Sequence, residues 1–472
     1  MLTIDYANCL AGRLGSHGLD PDRLAPGSPL AQAATSLTER LQASRGTGWE
    51  RWRQLPFDPM RAEHIGRVKE LTARYHGAYD NLVVLGIGGS ALGNAAVHSA
   101  LNSPAYNLDA DRPGPRLFIL DNVDPVNIAA VLDVCQASGP GKTLFNVISK
   151  SGETAETAAQ FLLVRDMLEQ ALGTSHAQHV VAITDPAKGT MRSICDRFGY
   201  ETMPVPDGVG GRFSVLSPVG LFSAAMCGID IDTLLSGAAA MDERCTNPDL
   251  AKNPAAMLAT LLVELAERKG KPNHVLMPYA NSLYLLADWY RQLWAESLGK
   301  RVNTQGEEVF SGFTPIKALG ATDQHSQVQL YREGPNDKVV GFVEVESFAR
   351  DLAVPAGASE AVGAESLAYL DGASLTTLLN AEKRATEYAL VESNRPNYTI
   401  KLPKIDAQHV GEFINLWQIA TAYAGLMLGI DAYDQPAVET GKQATFGLMG
   451  RPDFEQHKED VDRVLTGSRF VV

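Results

Sequence analysis

Between residues 82 and 184 the chain alternates short β-branched apolar runs with longer helical patterns, and this alternation restricts its fold more than any other feature. The runs at 82–85, 116–120, 144–148 and 180–184 are largely apolar, without the strict alternation of a half-exposed strand. They read as strands covered on both faces. Helical patterns fall between them, at 90–101, 125–135 and 154–170. Strand, helix, strand in that order requires crossovers, and crossovers give a parallel sheet with helices on both sides. The expected fold class is α/β.

A second unit of the same kind begins near Asn253. Asn273-His274-Val275-Leu276-Met277 followed by Ser282 repeats the spacing of Asn81-Leu82-Val83-Val84-Leu85 followed by Ser90, as a duplicated domain would. Strand patterns resume at 339–345 and 398–402, and 347–362 is an Ala-, Gly-, Ser- and acid-rich surface excursion. Two amphipathic patterns at 29–44 and 59–75 form an N-terminal helical arm, and a long helical pattern at 407–428 ends at Gly429, a C-cap signal. After it a short loop is expected to hold Asp434, Gln435, Glu439 and Lys442. The expected organisation is a helical arm at 1–78, two doubly wound, mainly parallel units at 79–250 and 251–442, and a C-terminal helical segment at 443–472.

With 472 residues and 45% hydrophobic content, the chain can fill more than one core. No apolar run approaches the roughly eighteen residues a membrane span needs, and residues 1–20 show no signal-peptide pattern, so a cytoplasmic address is expected. A net charge of -14 and a pI of about 5.2 disfavour nucleic acid or an anionic membrane as partner. A small anionic substrate stays compatible, because a few donors in a cleft outweigh a diffuse surface charge screened over roughly 8 Å. The five cysteines are widely spaced and read as core thiols. His176 and His179 are the only close histidine pair, reading as a solvated helix end rather than a metal site.

Two junctions are suited to anions. Residues 143–148 run as a strand into Ser149-Lys150-Ser151-Gly152-Glu153-Thr154, and a helix follows. Helix N-termini carry unpaired N–H groups and partial positive charge, so Ser149, Ser151 and Thr154 can hold a phosphate there. The same residues also suit plain helix capping by Ser151. Gly86-Ile87-Gly88-Gly89-Ser90-Ala91 fits a dinucleotide pattern, but the next acid at a strand end, Asp121, lies roughly thirty residues past Gly88, well beyond the ~20 that pattern expects.

Six segments in order resemble the glucose-6-phosphate isomerase family: Gly86-Ile87-Gly88-Gly89-Ser90, Ser149 to Thr154, Gly210-Gly211-Arg212-Phe213-Ser214, Trp294-Ala295-Glu296-Ser297-Leu298-Gly299-Lys300, Gln324-His325-Ser326, and Asp434-Gln435 with Glu439 and Lys442. The resemblance implies two sugar-isomerase (SIS) domains. It departs from the family in one place, where Pro436-Ala437 replaces the x-Gly of Asp-Gln-x-Gly-Val-Glu-x-x-Lys.

The resemblance implies an aldose–ketose isomerase acting on glucose 6-phosphate and fructose 6-phosphate through an enediolate. Moving a carbonyl from C1 to C2 needs ring opening, proton transfer and a stabilised enediolate. Glu296 is the implied base, Arg212 the enediolate partner, His325 the ring-opening acid and base, and Lys442 an aid to ring opening. Ser149, Ser151 and Thr154 would contact the phosphate, with Ser90 and Gln435 completing its site and Gly89 and Lys150 behind, while Glu156 would orient the histidine. No metal or organic cofactor is required. The resemblance also implies a homodimer with His325 supplied across the interface. Taken alone, Glu296 would instead pair with Lys300 one helical turn later, and Arg212 would pair with a neighbouring acid. Mannose 6-phosphate as a second substrate is the nearest alternative activity; a non-catalytic sugar-phosphate sensor is a more distant one.

Overall fold

The computed structural model describes residues 1–465 and Gly467. Its first strand, β1 (Thr3–Asp5), precedes the helices Pro29–Ser44 and Met60–Tyr75. Ser28 caps the first of these by accepting the Ala31 N–H, with Pro29 at the opening position, where a missing N–H leaves no bond unmade. Then come β2 (Asn81–Leu85), β3 (Arg116–Leu120), β4 (Thr143–Ile148), β5 (Val180–Thr184) and β6 (Glu201–Pro204). They form one parallel sheet in the order β3-β2-β4-β5-β6. β2, β4 and β5 are buried along their whole lengths, the result their unbroken apolar runs require.

The second half supplies β7 (Asn273–Pro278), a hairpin of β8 (Lys300–Val302) and β9 (Glu308–Ser311), then β10 (Thr314–Lys317), β11 (Lys338–Ser347) and β12 (Asn397–Lys404). The sheet order is β1-β12-β11-β7-β10, parallel throughout except that β1 runs antiparallel to β12. The expected α/β fold with two mainly parallel sheets is therefore present. β1 was not foreseeable, because Thr3-Ile4-Asp5 is too short to show a period. It is held by the far end of the chain: the Leu2 N–H donates to the Glu412 carboxylate at 2.7 Å, and Arg244 donates to the Leu2 carbonyl at 2.8 Å.

The helix Ala407–Met427 is buried continuously from His409 to Gly425. Buried on every face, with Glu412, Asn415 and Gln418 among its buried side chains, it packs on Ile231–Arg244, Pro254–Lys269, Tyr284–Leu298 and Pro29–Ser44. It thereby joins the helix carrying Glu296 to the N-terminal helices. Gly429 follows its last turn with φ of +65°, a backbone shape that favours glycine. The chain then turns toward Asp434.

Two expectations are corrected. His176 and His179 are buried, with the Tyr200 hydroxyl 3.2 Å from His176 Nδ1 and His179 Nδ1 3.2 Å from the Thr143 carbonyl. They are core histidines, neither solvated nor sharing a ligand. Glu439 and Lys442 stand on the helix Val438–Leu448 rather than in a loop; Gly441 and the threonines at 440 and 445 weaken its helical signal in the sequence. All five cysteines are buried free thiols, as expected.

Candidate active site

Five chain segments, the Gly211-Arg212 turn among them, meet in a cleft of about 680 Å³, a size ordinary for a small-molecule site. From the first sheet come the turn Gly88–Ser90 after β2 and the loop after β4; from the second unit come the helix Tyr284–Leu298 and the helix Val438–Leu448. Cleft loops at the carboxyl ends of parallel strands are where α/β proteins place ligands.

The loop after β4 is shaped by its own hydroxyls. Ser149 is buried, and its Oγ accepts the Gly152 N–H at 3.0 Å. Ser151 Oγ accepts the Glu153 N–H at 3.1 Å. The helix therefore starts one residue beyond Thr154, at Ala155, and Thr154 as N-cap residue makes no side-chain capping bond. Capping by Ser151, the plain alternative, is not what the chain does. Ser151, Thr154, Ala155 and Glu156 line the cleft, presenting the start of an eighteen-residue helix to it, a ready anion site. Ser149 and Lys150 are not among the lining residues; the Lys150 ammonium sits 5.1 Å from the centre of the Trp49 ring.

Ser90 lines the same cleft. Gly89 allows this part of the cleft to form, since a Cβ there would lie 2.2 Å from the Gly211 carbonyl carbon. No side chain fits between these two turns, so Gly89 packs directly on the Gly211-Arg212 backbone. Arg212 is only 4% exposed. Its Nε donates to Ser297 Oγ (2.6 Å), Nη1 to Gln435 Oε1 (2.9 Å), and Nη2 to the carbonyls of Ala432 (2.6 Å) and Asp434 (3.1 Å). Nη1 also lies 3.4 Å from Glu296 Oε1. Burial lowers the guanidinium pKa from its ordinary value, and the charges of Glu296, Asp434 and Asp431 oppose that fall. A planar fork suits this multiple anchoring in a way an ammonium would not.

Glu296 lies near the C-terminal end of its helix, with its side chain 28% exposed to the cleft. The expected alternative pairing with Lys300 does not form through the carboxylate: Lys300 Nζ donates to the Glu296 backbone carbonyl at 2.9 Å and to that of Asp434 at 3.0 Å. Glu296 Oε2 instead accepts from Gln292 Nε2 at 3.0 Å. Gln292 belongs to none of the sequence motifs, although its place one turn before Glu296 on the same helix face is a usable signal. Gln435 and Lys442 also line the cleft, and Lys442 Nζ pairs with Glu439 Oε1 at 2.7 Å. The Pro436-Ala437 replacement is thus followed directly by the helix that carries both. His325 is exposed, at the end of the 3-10 turn Thr322–Gln324, and is not among the residues lining its own chain's cleft.

Two mainly parallel sheets, with the start of a long helix and a carboxylate–guanidinium pair lining one cleft, define an α/β fold with a small-molecule site. A profile of the Phosphoglucose isomerase family matches residues 66–465. The chain belongs to that family. It is 45% identical to a glucose-6-phosphate isomerase of Carboxydothermus hydrogenoformans over 93% of each chain. It is 42% identical to one of Rubrobacter xylanophilus over 96% of this chain and 99% of that one. Among solved structures, a hypothetical protein of Thermus thermophilus superposes with a TM-score of 0.82 at 37% identity, covering 95% of this chain and all of the other. A Chlamydia trachomatis glucose-6-phosphate isomerase at 23% identity shares the fold, with a TM-score of 0.79 and 96% of each chain covered.

Proposed function

We propose that this protein interconverts glucose 6-phosphate and fructose 6-phosphate, with its residues in the roles set out below. The observation that carries the reading is the cleft of a phosphoglucose isomerase family member, lined both by the Glu296 carboxylate and by the start of the helix Ala155–Leu172.

The phosphate lies at the helix start, held by Ser151, Thr154 and the free N–H groups, with Ser90 and Gln435 beside it. Ser149 serves from behind, keeping the loop folded through Gly152. The sugar then extends toward Glu296. In the aldose-to-ketose direction the Glu296 carboxylate takes the C2 proton, the electron pair moves to give the enediolate, and the protonated acid returns a proton to C1. Arg212 meets the charge that develops on the oxygens, and its fixed anchoring spares reorganisation during the reaction. Gln292 orients the carboxylate. Lys442 and a histidine open and close the ring; Glu156 lies on the phosphate side of the cleft, where it supports their approach.

His325 enters from a second copy of the chain, which makes the working unit a homodimer; its exposure outside its own cleft supports this. Among the described residues no helix is long and apolar enough to cross a membrane, and a substrate drawn from cellular sugar phosphates favours the cytoplasm as its compartment. The test is a coupled assay with fructose 6-phosphate on purified protein, with mannose 6-phosphate run alongside. Steady formation of glucose 6-phosphate is expected. No turnover of fructose 6-phosphate would overturn the assignment.

A further inference from the structure

Glu153 is the one acidic residue in the loop Ser149 to Thr154, and it lines the cleft beside Thr154. A fixed negative charge there opposes a phosphate dianion. Lys150 offers no relief, since its ammonium is turned onto the Trp49 ring. Relief comes from Thr190 and from the C-terminal segment. One Glu153 oxygen accepts from Thr190 Oγ1 at 3.0 Å, and the other meets Arg451 Nη2 at 3.1 Å.

Arg451 stands in the turn between the helices Val438–Leu448 and Glu455–Leu465. Its guanidinium lies 4.5 Å from the Phe446 ring centre and 5.3 Å from that of Phe454, and the two rings meet edge to face at 5.2 Å. Ring faces of this kind hold a cation in place without neutralising it. Among the described residues, the Arg451–Glu153 pair is the one side-chain hydrogen bond or ion pair joining residues 436–465 to the rest of the chain. The guanidinium is thus built into an aromatic seat and delivered to a single carboxylate.

We propose that Arg451 is a binding-site residue of this isomerase that acts through Glu153, cancelling the one acidic charge of the phosphate loop so that the loop accepts a phosphate dianion. This rests on the assignment of that loop to the substrate phosphate. The direct hydrogen bond from Arg451 is the first cause that holds the Glu153 carboxyl below its ordinary pKa, so Glu153 stays charged at neutral pH and needs its partner.

The charge role and a purely mechanical tether differ in sign at Glu153. Steady-state kinetics with fructose 6-phosphate would compare wild type, Arg451→Ala, Arg451→Lys, Glu153→Gln and the Arg451→Ala/Glu153→Gln double variant. Arg451→Ala is expected to raise KM about 3- to 10-fold with kcat within about twofold, and the excess shrinks at about 0.5 M salt as the repulsion is screened. Arg451→Lys keeps most of the wild-type KM. Glu153→Gln lowers KM, because Arg451 is then left unpaired beside the phosphate, and the double variant falls well below Arg451→Ala. A KM for Arg451→Ala equal to wild type, a loss confined to kcat, or a rise in KM for Glu153→Gln would each overturn the proposal. Calorimetric titration with inorganic phosphate carries the same comparison without turnover. If wild type fails to isomerise fructose 6-phosphate while phosphate affinity follows this pattern, the isomerase assignment fails and the role of Arg451 stands.

Discussion

Glu296 and Arg212 sit 3.4 Å apart, yet their proposed duties separate in kinetics. Glu296→Gln keeps the size and the contact with Gln292 but cannot take a proton, so turnover should fall at least ~10²–10⁴-fold while sugar-phosphate binding persists. Thr154→Ala removes a hydroxyl at the phosphate end and should raise KM several-fold with little change in kcat. Arg212→Lys keeps the charge but loses the fork that joins Ser297, Gln435 and two carbonyls, and should lower kcat by roughly 10²-fold. Steady-state kinetics showing the opposite split, kcat lost at Thr154 and KM at Arg212, would contradict this division. At this scale the family resemblance named Glu296, Arg212, Gln435 and Lys442, which line one cleft, together with Ser149, Lys150 and His325, which do not line it. It could not show which hydroxyl faces the ligand. Ser149 and Ser151 look alike in sequence, and only the path of the loop decides that Ser149 turns inward to Gly152. Gln292 escaped because its one signal, a place one turn before Glu296 on the same helix face, belongs to no motif and is read only once Glu296 is singled out.

Whole elements were legible where their pattern was long. The helix Pro29–Ser44 and the strands Arg116–Leu120 and Val180–Thr184 stand where periodicity and flanking residues put them. β1 and the helix Val438–Leu448 were not, the first because it has three residues and the second because a glycine and threonines interrupt its helical pattern. Close crossings of elements were equally hidden. A Cβ on Gly237 would lie 1.9 Å from the Gln408 carbonyl oxygen, where the helix Ile231–Arg244 meets Ala407–Met427. Gly237→Ala should therefore destabilise the fold by about 1–3 kcal/mol despite its better helix propensity, read as a lower urea midpoint. The segment with His325 can be tested as an element supplied from a second copy. Mixing inactive His325→Ala protein with inactive Glu296→Gln protein under subunit exchange should restore activity, because some hybrid sites hold both wild-type groups. No recovery, with exchange confirmed separately, would place the histidine's action within its own chain or nowhere.

Over the whole molecule, the two sheets share one continuous core through the helix Ala407–Met427, and two histidines shielded from water tie its stability to pH. His98 and His274 are pushed down to about 4 and about 3 by burial. Both use Nδ1 to accept a hydrogen bond, from the Asn102 amide at 3.0 Å and from Trp294 Nε1 at 3.1 Å, which protonation would abolish. The unfolded chain binds these protons near pH 6.5. Their contribution is thus complete above that value and is lost as pH falls toward 4 for His98 and 3 for His274. Urea midpoints should drop between pH 7.5 and 5, and less steeply in His98→Gln; an unchanged midpoint would contradict the shielding of neutral imidazoles. What ties fold to function most directly is proton transfer at Glu296. Proton NMR of fructose 6-phosphate in D₂O with wild-type protein should show glucose 6-phosphate forming with deuterium entering C2, and Glu296→Gln should slow that incorporation at least ~10²-fold. Incorporation by Glu296→Gln within about a tenth of the wild-type rate would contradict a carboxylate-borne proton in this cleft.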